Sequence, residues 1–183
     1  GMDPADADEF YAYQYLIAAA PAEVPDHGTT SIVIPTHNQI DYTRQCVDSL
    51  LRLTDEPIEL IFVDNASTDG TADYLRTIRG ATVIVNGENR GFPAGCNQGI
   101  TIARGQQLLL LNNDTVVTTG WLTRLLRALH SDPKIGLAGP CSNRVSGEQR
   151  ISVTYSEGDL SGLDGFAWEW GQGRREVTEE TDR

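Results

Sequence analysis

The stretch Glu59-Leu60-Ile61-Phe62-Val63-Asp64-Asn65-Ala66-Ser67-Thr68-Asp69-Gly70-Thr71 decides the fold. Leu60 to Val63 is uninterrupted apolar sequence with no polar face, as expected of a parallel strand covered by helices on both sides. It stops in a run of turn and cap residues. Beyond Gly70 the apolar residues Ala72, Leu75 and Ile78 recur at helical spacing. Strand, polar turn and helix in that order form half of a βαβ unit.

The same unit repeats on either side. Strands are expected at 31–34, 59–63, 82–85, 107–111 and, more faintly patterned, 136–139; helices are expected at 42–53, 71–79, 93–103 and 121–130. The first helix aligns Cys46, Val47, Leu50 and Leu51 on one face. The third has Pro93 in its first turn, and the last carries Trp121, Leu122, Leu125, Leu126 and Leu129 before Asp132-Pro133 stops it. The pattern predicts an α/β fold with a doubly wound, mostly parallel sheet and helices on both faces, occupying 29–147. Residues 1–28 read as an N-terminal appendage and linker. Within them, 3–20 mixes acids with Phe10, Tyr11, Tyr13, Tyr15, Leu16 and Ile17 and predicts a short amphipathic helix. Residues 148–183 form a further segment in which Phe166, Trp168 and Trp170 could stack on a sugar or pack on the core. The charged stretch 174–183, with no apolar stripe, reads as a disordered tail.

Composition narrows the partners. The 183 residues carry 26 acidic and 14 basic side chains, a net charge of −12. Scattered Lys and Arg in so acidic a chain exclude a nucleic-acid partner. An anionic small ligand requires local positive potential from a metal ion or a helix N-terminus. Cys46, Cys96 and Cys141 have neither disulfide-framework nor zinc spacing and read as packing residues in a reducing compartment. No apolar stretch reaches transmembrane length and no signal-peptide pattern opens the chain, so a cytoplasmic protein is expected.

In open α/β sheets ligands bind beyond the carboxyl ends of the strands. The segments there are Pro35-Thr36-His37-Asn38; Asp64 to Gly70, beginning with Asn65; Asn86 to Phe92, with Asn89, Arg90 and Gly91; and Asn112-Asn113-Asp114. Asp64, placed before the turn proper, reads as a ligand contact, whereas Ser67 and Asp69 read as caps. Asp114 follows the most apolar run of the chain and offers a hard oxygen ligand suited to Mg²⁺ or Mn²⁺. Arg90 and the backbone ahead of the third helix, which runs on to Asn97, suit an anion. His27, His37 and His130 share no metal-ligand spacing. The glycines fit neither GxGxxG nor GxxxxGK[ST], so dinucleotide and P-loop chemistry lack their glycine logic.

Taken together, Ile32-Val33-Ile34-Pro35-Thr36-His37-Asn38, Val63 to Thr71, Asn89-Arg90-Gly91-Phe92 through Asn97-Gln98-Gly99, and Leu110-Leu111-Asn112-Asn113-Asp114 with Trp121-Leu122 resemble glycosyltransferase family 2. This is an inverting family with the GT-A fold, and the likeness extends to its bacterial rhamnosyltransferase-like members. The resemblance implies that Pro35, His37 and Asp64 line a nucleoside pocket, with Asp64 facing the base. It implies that Asn89, Arg90 and Asn97 lie near the diphosphate or sugar, and that Asp114 binds the metal. The family's DxD reads Asn112-Asn113-Asp114 here, one charge fewer. The family's general base falls on a later acidic motif without a convincing counterpart. Glu157, Asp159, Asp164 and Glu169 are the acids available, and a truncated catalytic domain is expected.

The implied reaction is transfer of a sugar from a UDP- or dTDP-sugar to a saccharide or lipid-linked acceptor with inversion. A lipid-linked acceptor would bring the full-length protein to the inner membrane face. Two other readings stay open: a nucleotide-sugar-binding module without turnover, and a sugar-phosphate nucleotidyltransferase. The latter's glycine-rich basic loop is replaced by Pro35-Thr36-His37-Asn38.

Overall fold

The computed structural model describes residues 13–16, 27–143, 149–156 and 158–172. In chain order the elements are β1 (Tyr13–Leu16), β2 (Thr30–Thr36), α1 (Ile40–Leu53), β3 (Ile58–Asp64), α2 (Thr71–Arg76), β4 (Thr82–Val85), α3 (Gly91–Ile102), β5 (Gln107–Leu110), β6 (Thr115–Val116), α4 (Trp121–Leu129), β7 (Cys141–Ser142) and α5 (Leu163–Gln172).

The main sheet is parallel throughout, in the order β4-β3-β2-β5. Thr36 pairs with Asp64 and Asp64 with Val85, so the carboxyl ends of β2, β3 and β4 finish level. The chain steps outward from β2 to β4, then α3 carries it back across to β5 on the other side of β2. That reversal opens a crevice between the ends of β2 and β5, the place where an open α/β sheet accepts a ligand.

Alternation along the strands divides the core. Ile32, Ile34, Leu60 and Phe62 pack with Cys46, Val47 and Leu50 of α1, Leu75 of α2, and Trp121, Leu122 and Leu126 of α4. On the opposite face, Val33, Ile61 and Val63 pack with Ala103 just past α3. Full burial of side chains as large as Phe62 and Trp121 contributes about 1.5–3 kcal/mol each. The α3 helix lies close on the sheet because Gly99 faces Val33, where a Cβ would come within 2.2 Å of Cγ1. Gln106 and Arg104 tie down the opposite, amino end of the sheet. Gln106 accepts from the Thr29 N–H, and Arg104 pairs with Glu59 at 2.7 Å.

Several expectations are corrected. Residues 13–16 are a strand, not part of a helix, pairing parallel with β6 and antiparallel with β7. Tyr-rich sequence suits a pleated surface once two edges are there to meet it. Residues 136–139 form no strand; Gly136, Gly139 and Pro140 offer little side-chain packing and no N–H at 140, and pairing begins only at Cys141. Leu51 is 59% exposed rather than on the buried face of α1. The α2 helix ends at Arg76, and Thr77 and Ile78 continue in i−3 bonds to Tyr74 and Leu75 before Gly80 turns at φ 82°.

Beyond β6, a smaller core joins Val116, Leu163 and Ala167 to Ile151, Val153, Tyr155 and Phe166. Phe166 packs edge-on to Tyr155, whereas Trp168 is 46% exposed. The tail at 174–183 and most of 3–20 lie outside the described residues.

Candidate functional site

Two loops, one after β2 and one after β3, are built around each other. The backbone N–H of Asn38 donates to Ser67 Oγ at 2.7 Å, and that of Thr68 donates to Asn38 Oδ1 at 2.8 Å. The Ile40 N–H, at the start of α1, donates to Asp69 Oδ2 at 2.9 Å, while Asp69 Oδ1 accepts from the Thr71 hydroxyl and N–H. These bonds hold Asn38, Gln39 and Ala66 at φ 57°, 63° and 60°, a left-handed conformation that costs non-glycine residues about 1–3 kcal/mol each. Partial burial opposes ionisation of Asp69, but the Thr71 hydroxyl and the N–H groups of Ile40 and Thr71 outweigh it and pull the carboxyl below its ordinary pKa.

Asp64 lies beneath these loops. It is fully buried; Oδ1 accepts from the Thr36 hydroxyl at 3.3 Å and Oδ2 from the Ser67 N–H at 3.0 Å. Ser67 does not cap α2 but receives Asn38, and the turn is held by Asp64 and Asp69. Asn65 joins the second loop to the third. Its Oδ1 accepts from Asn86 Nδ2 at 2.8 Å, and Asn86 and Gln98 exchange reciprocal amide bonds at 2.8 Å. His37 Nδ1 lies 2.7 Å from the Asn65 carbonyl; a carbonyl only accepts, so Nδ1 carries a proton there, and Nε2 lies 3.5 Å from the Asn38 side-chain amide nitrogen.

A cleft of about 530 Å³ opens at the switch between β2 and β5. Its lining brings together Pro35, Thr36, His37 and Asn38 from the first loop, Asn65 from the second, Asn89 and Gly91 from the third, and Asn112, Asn113 and Asp114 from the fourth. Gln39, Tyr42 and Phe92 line it as well. Gln39 and Tyr42 went unassigned in the sequence; the available signal was an aromatic in the first turn of a helix that directly follows a strand-end loop. Asp64, Arg90 and Asn97 do not line it. Arg90 and Asn97 are exposed, Arg90 at the N-cap position of α3 and Asn97 within that helix. A second, more open depression of about 500 Å³ continues past Gln39 and Tyr42 toward Gln45 and Asp69.

Asp114 is unlike the other two strand-end carboxylates. It is 9% exposed, and its Oδ1 has no hydrogen-bond partner among the described residues. Burial pushes its pKa up to about 6. Nearby, burial and then the Asp114 charge raise the Cys46 thiol to about 12. A buried carboxylate with an unbonded oxygen, on a residue that lines a polar cleft, suits a hard cation. Among the described residues no cluster of three or more His, Cys, Asp or Glu surrounds it, so any such ion would take most of its shell from ligand and water. Of the acids after β7, Asp164 accepts from the Thr119 N–H and hydroxyl, Asp159 accepts from the Ser161 N–H, and Glu157 lies outside the described residues.

A parallel sheet with a polar cleft at its switch point defines the class of open α/β proteins that bind ligands at that edge. The comparisons place this chain within the class: it belongs to glycosyl transferase family 2, whose family model matches residues 31–174. It is 37% identical over 101 residues to the poly(ribitol-phosphate) beta-glucosyltransferase of Bacillus spizizenii, covering 51% of this chain and 16% of that protein. It is 32% identical over 128 residues to the uncharacterized glycosyltransferase EpsJ of Bacillus subtilis, covering 67% and 36%. It is also 29% identical over 99 residues to the glycosyltransferase GlyG of Streptococcus pneumoniae serotype 4, covering 52% and 33%. The matches thus span about a third or less of the length of these relatives.

Among solved structures, the mannosyltransferase PcManGT from Pyrobaculum calidifontis, in complex with GDP-Man and Mn²⁺, superimposes with a TM-score of 0.55 at 23% identity, covering 65% of this chain and 36% of that one. S. aureus TarS 1-349 gives 0.51 at 24% identity, covering 56% and 32%. These likenesses establish the doubly wound α/β fold of the GT-A glycosyltransferases. No described helix is long and apolar enough to cross a membrane.

Proposed function

We propose that this chain forms the donor-binding part of a metal-assisted, inverting glycosyltransferase that takes a sugar from a nucleoside diphosphate. The observation that carries the proposal is Asp114 in the cleft lining, with an Oδ1 that has no partner among the described residues, while both oxygens of Asp64 are already satisfied. Asp114 would hold Mg²⁺ or Mn²⁺, with Asn112 and Asn113 beside it. When bound, that ion supplies positive charge against the diphosphate leaving group.

The chain's own residues divide the remaining work. Pro35 and His37 form the nucleoside wall, and His37 Nε2 accepts an N–H or O–H of the ligand. Asn89 Oδ1 is engaged by the Gly91 N–H, which leaves its amide nitrogen to donate toward the diphosphate. The N-terminus of α3 and the Arg90 guanidinium add positive potential on that side. Asp64 holds the strand end and acts as support, not as a ligand contact. A single displacement at the anomeric carbon inverts its configuration, with the acceptor hydroxyl giving its proton to a base. Asp159 caps the turn at Ser161 and Asp164 holds Thr119, so neither is free for that transfer, whereas Glu169 is exposed on α5.

UDP- and dTDP-sugars, dTDP-rhamnose among them, are the favoured donors, and a GDP-sugar joins the panel because PcManGT is seen with GDP-Man. The acceptor is a saccharide or a lipid-linked saccharide, the latter placing the reaction at the cytoplasmic face of a membrane. The engagement of Asp159 and Asp164, two of the three described acids in and near α5, favours one second reading, a donor-binding module that does not turn over alone. The test is NMR of each nucleotide sugar with the chain, Mn²⁺ and a saccharide acceptor. Metal-dependent appearance of a product of inverted anomeric configuration supports the enzyme; a retained configuration refutes the mechanism. Binding without turnover selects the module.

A further inference from the structure

The buried face of α1 carries two hydroxyl residues, Thr43 and Ser49, on either side of the thiol of Cys46. Thr43, Cys46 and Ser49, spaced by three, are at most 2% exposed. Polar groups are tolerated at such burial only when bonded. Thr43 and Ser49 each direct the hydroxyl proton back into their own helix, to the Gln39 carbonyl at 3.2 Å and the Cys46 carbonyl at 2.8 Å. Their oxygens therefore face outward as acceptors. Each accepts from the segment that contains Asp114: Asn113 Nδ2 reaches Thr43 Oγ1 at 2.9 Å, and the Val117 N–H reaches Ser49 Oγ at 3.1 Å. Between them, Cys46 Sγ donates to the Asn112 carbonyl at 3.7 Å.

We propose that Thr43, Cys46 and Ser49 are positioning residues that bind 112–117 at three successive points and so fix the Asp114 carboxylate toward the cleft. The proposal rests on the donor-site reading above. Asp114 follows an edge strand and has no hydrogen-bond partner on Oδ1 among the described residues, so the position of its carboxylate depends on how its backbone is held. The stripe supplies that hold from a rigid helix. Through the Gln39 carbonyl, Thr43 also links the metal side of the cleft to the loop after β2.

The experiment compares Thr43→Val, Thr43→Ser and Ser49→Ala with the wild-type chain. Amide hydrogen exchange at 112–117 is read without ligand, and Mn²⁺ retention is read by the EPR signal of free Mn²⁺. The expected result is exchange about tenfold faster at 112–117 and Mn²⁺ affinity about tenfold weaker in Thr43→Val, with Thr43→Ser restoring both. Ser49→Ala provides the same reading should Thr43→Val fail to fold. Unchanged exchange at 112–117, or weakened Mn²⁺ binding that Thr43→Ser does not restore, overturns the proposal. Failure of the wild-type chain to retain Mn²⁺ at all overturns the donor-site reading and the proposal with it, and is distinguished by appearing before any substitution is made.

Discussion

The carboxylates beside the cleft and in its lining are treated differently. In the loops after β2 and β3, outside the lining, both oxygens of Asp64 and both of Asp69 accept hydrogen bonds from hydroxyls or backbone N–H groups. In the lining after β5, Asp114 is nearly as buried as Asp64, yet its Oδ1 has no donor among the described residues and burial pushes its pKa up to about 6. The satisfied carboxylates hold the shape of the loops, whereas the unsatisfied one is the group that we propose receives the metal. Natural proteins leave few buried polar atoms unpaired, which makes the exception informative.

The contrast can be broken from either side. Asp64→Ala strips the acceptor from a buried hydroxyl and a backbone N–H, so stability should fall by about 2–4 kcal/mol; a urea midpoint close to wild type would show that the carboxylate holds nothing. Asn86→Ala, which releases Asn65 and Gln98 together, should cost about 2 kcal/mol in the same measurement.

Asp114→Asn should move stability the other way. A carboxyl raised in the folded state binds its proton more tightly folded than unfolded, so it costs stability progressively as pH rises above the unfolded value of about 4, and fully above the folded value of about 6. The metal-free variant should therefore be more stable than wild type at pH 7 by about 1–2 kcal/mol, and the advantage should shrink as pH falls toward the unfolded carboxyl pKa of about 4. Parallel denaturation curves at pH 4.5 and 7.5 decide the matter; equal stability at both would remove the strain argued for Asp114. Asn38→Gly should have the smallest effect, under about 1 kcal/mol. Glycine relieves the φ of 57° while the acceptor for the Thr68 N–H is lost. A much larger loss would mean that the Asn38 amide, and not backbone conformation, organises the loop.

Much of this was legible in the sequence. The run Leu60 to Val63 announces a buried parallel strand and Leu108 to Leu111 a parallel strand that proves to be an edge one with Leu108 and Leu110 exposed, and the polar residues following them do gather at one edge. The sequence could not reveal which of those residues already had partners. Asp64 stands at a strand end like Asp114, but whether its oxygens are free depends on Thr36, a neighbour only across the sheet. β1 was illegible for a similar reason, since its four residues become a strand only where distant β6 and β7 offer edges. In the stripe, Thr43 and Ser49 read locally as interruptions of an apolar face and Cys46 as part of it, and all three acquire meaning only from the segment packed against them.

The most direct test of the central claim is calorimetric titration of UDP, dTDP and GDP, with and without Mn²⁺, on the wild-type chain and on Asp114→Asn. The account predicts that one nucleoside diphosphate binds the wild type with Mn²⁺ and that affinity falls at least about 10²-fold in the variant or without metal. Binding of equal strength in Asp114→Asn, or no binding by a folded wild-type chain, would contradict it.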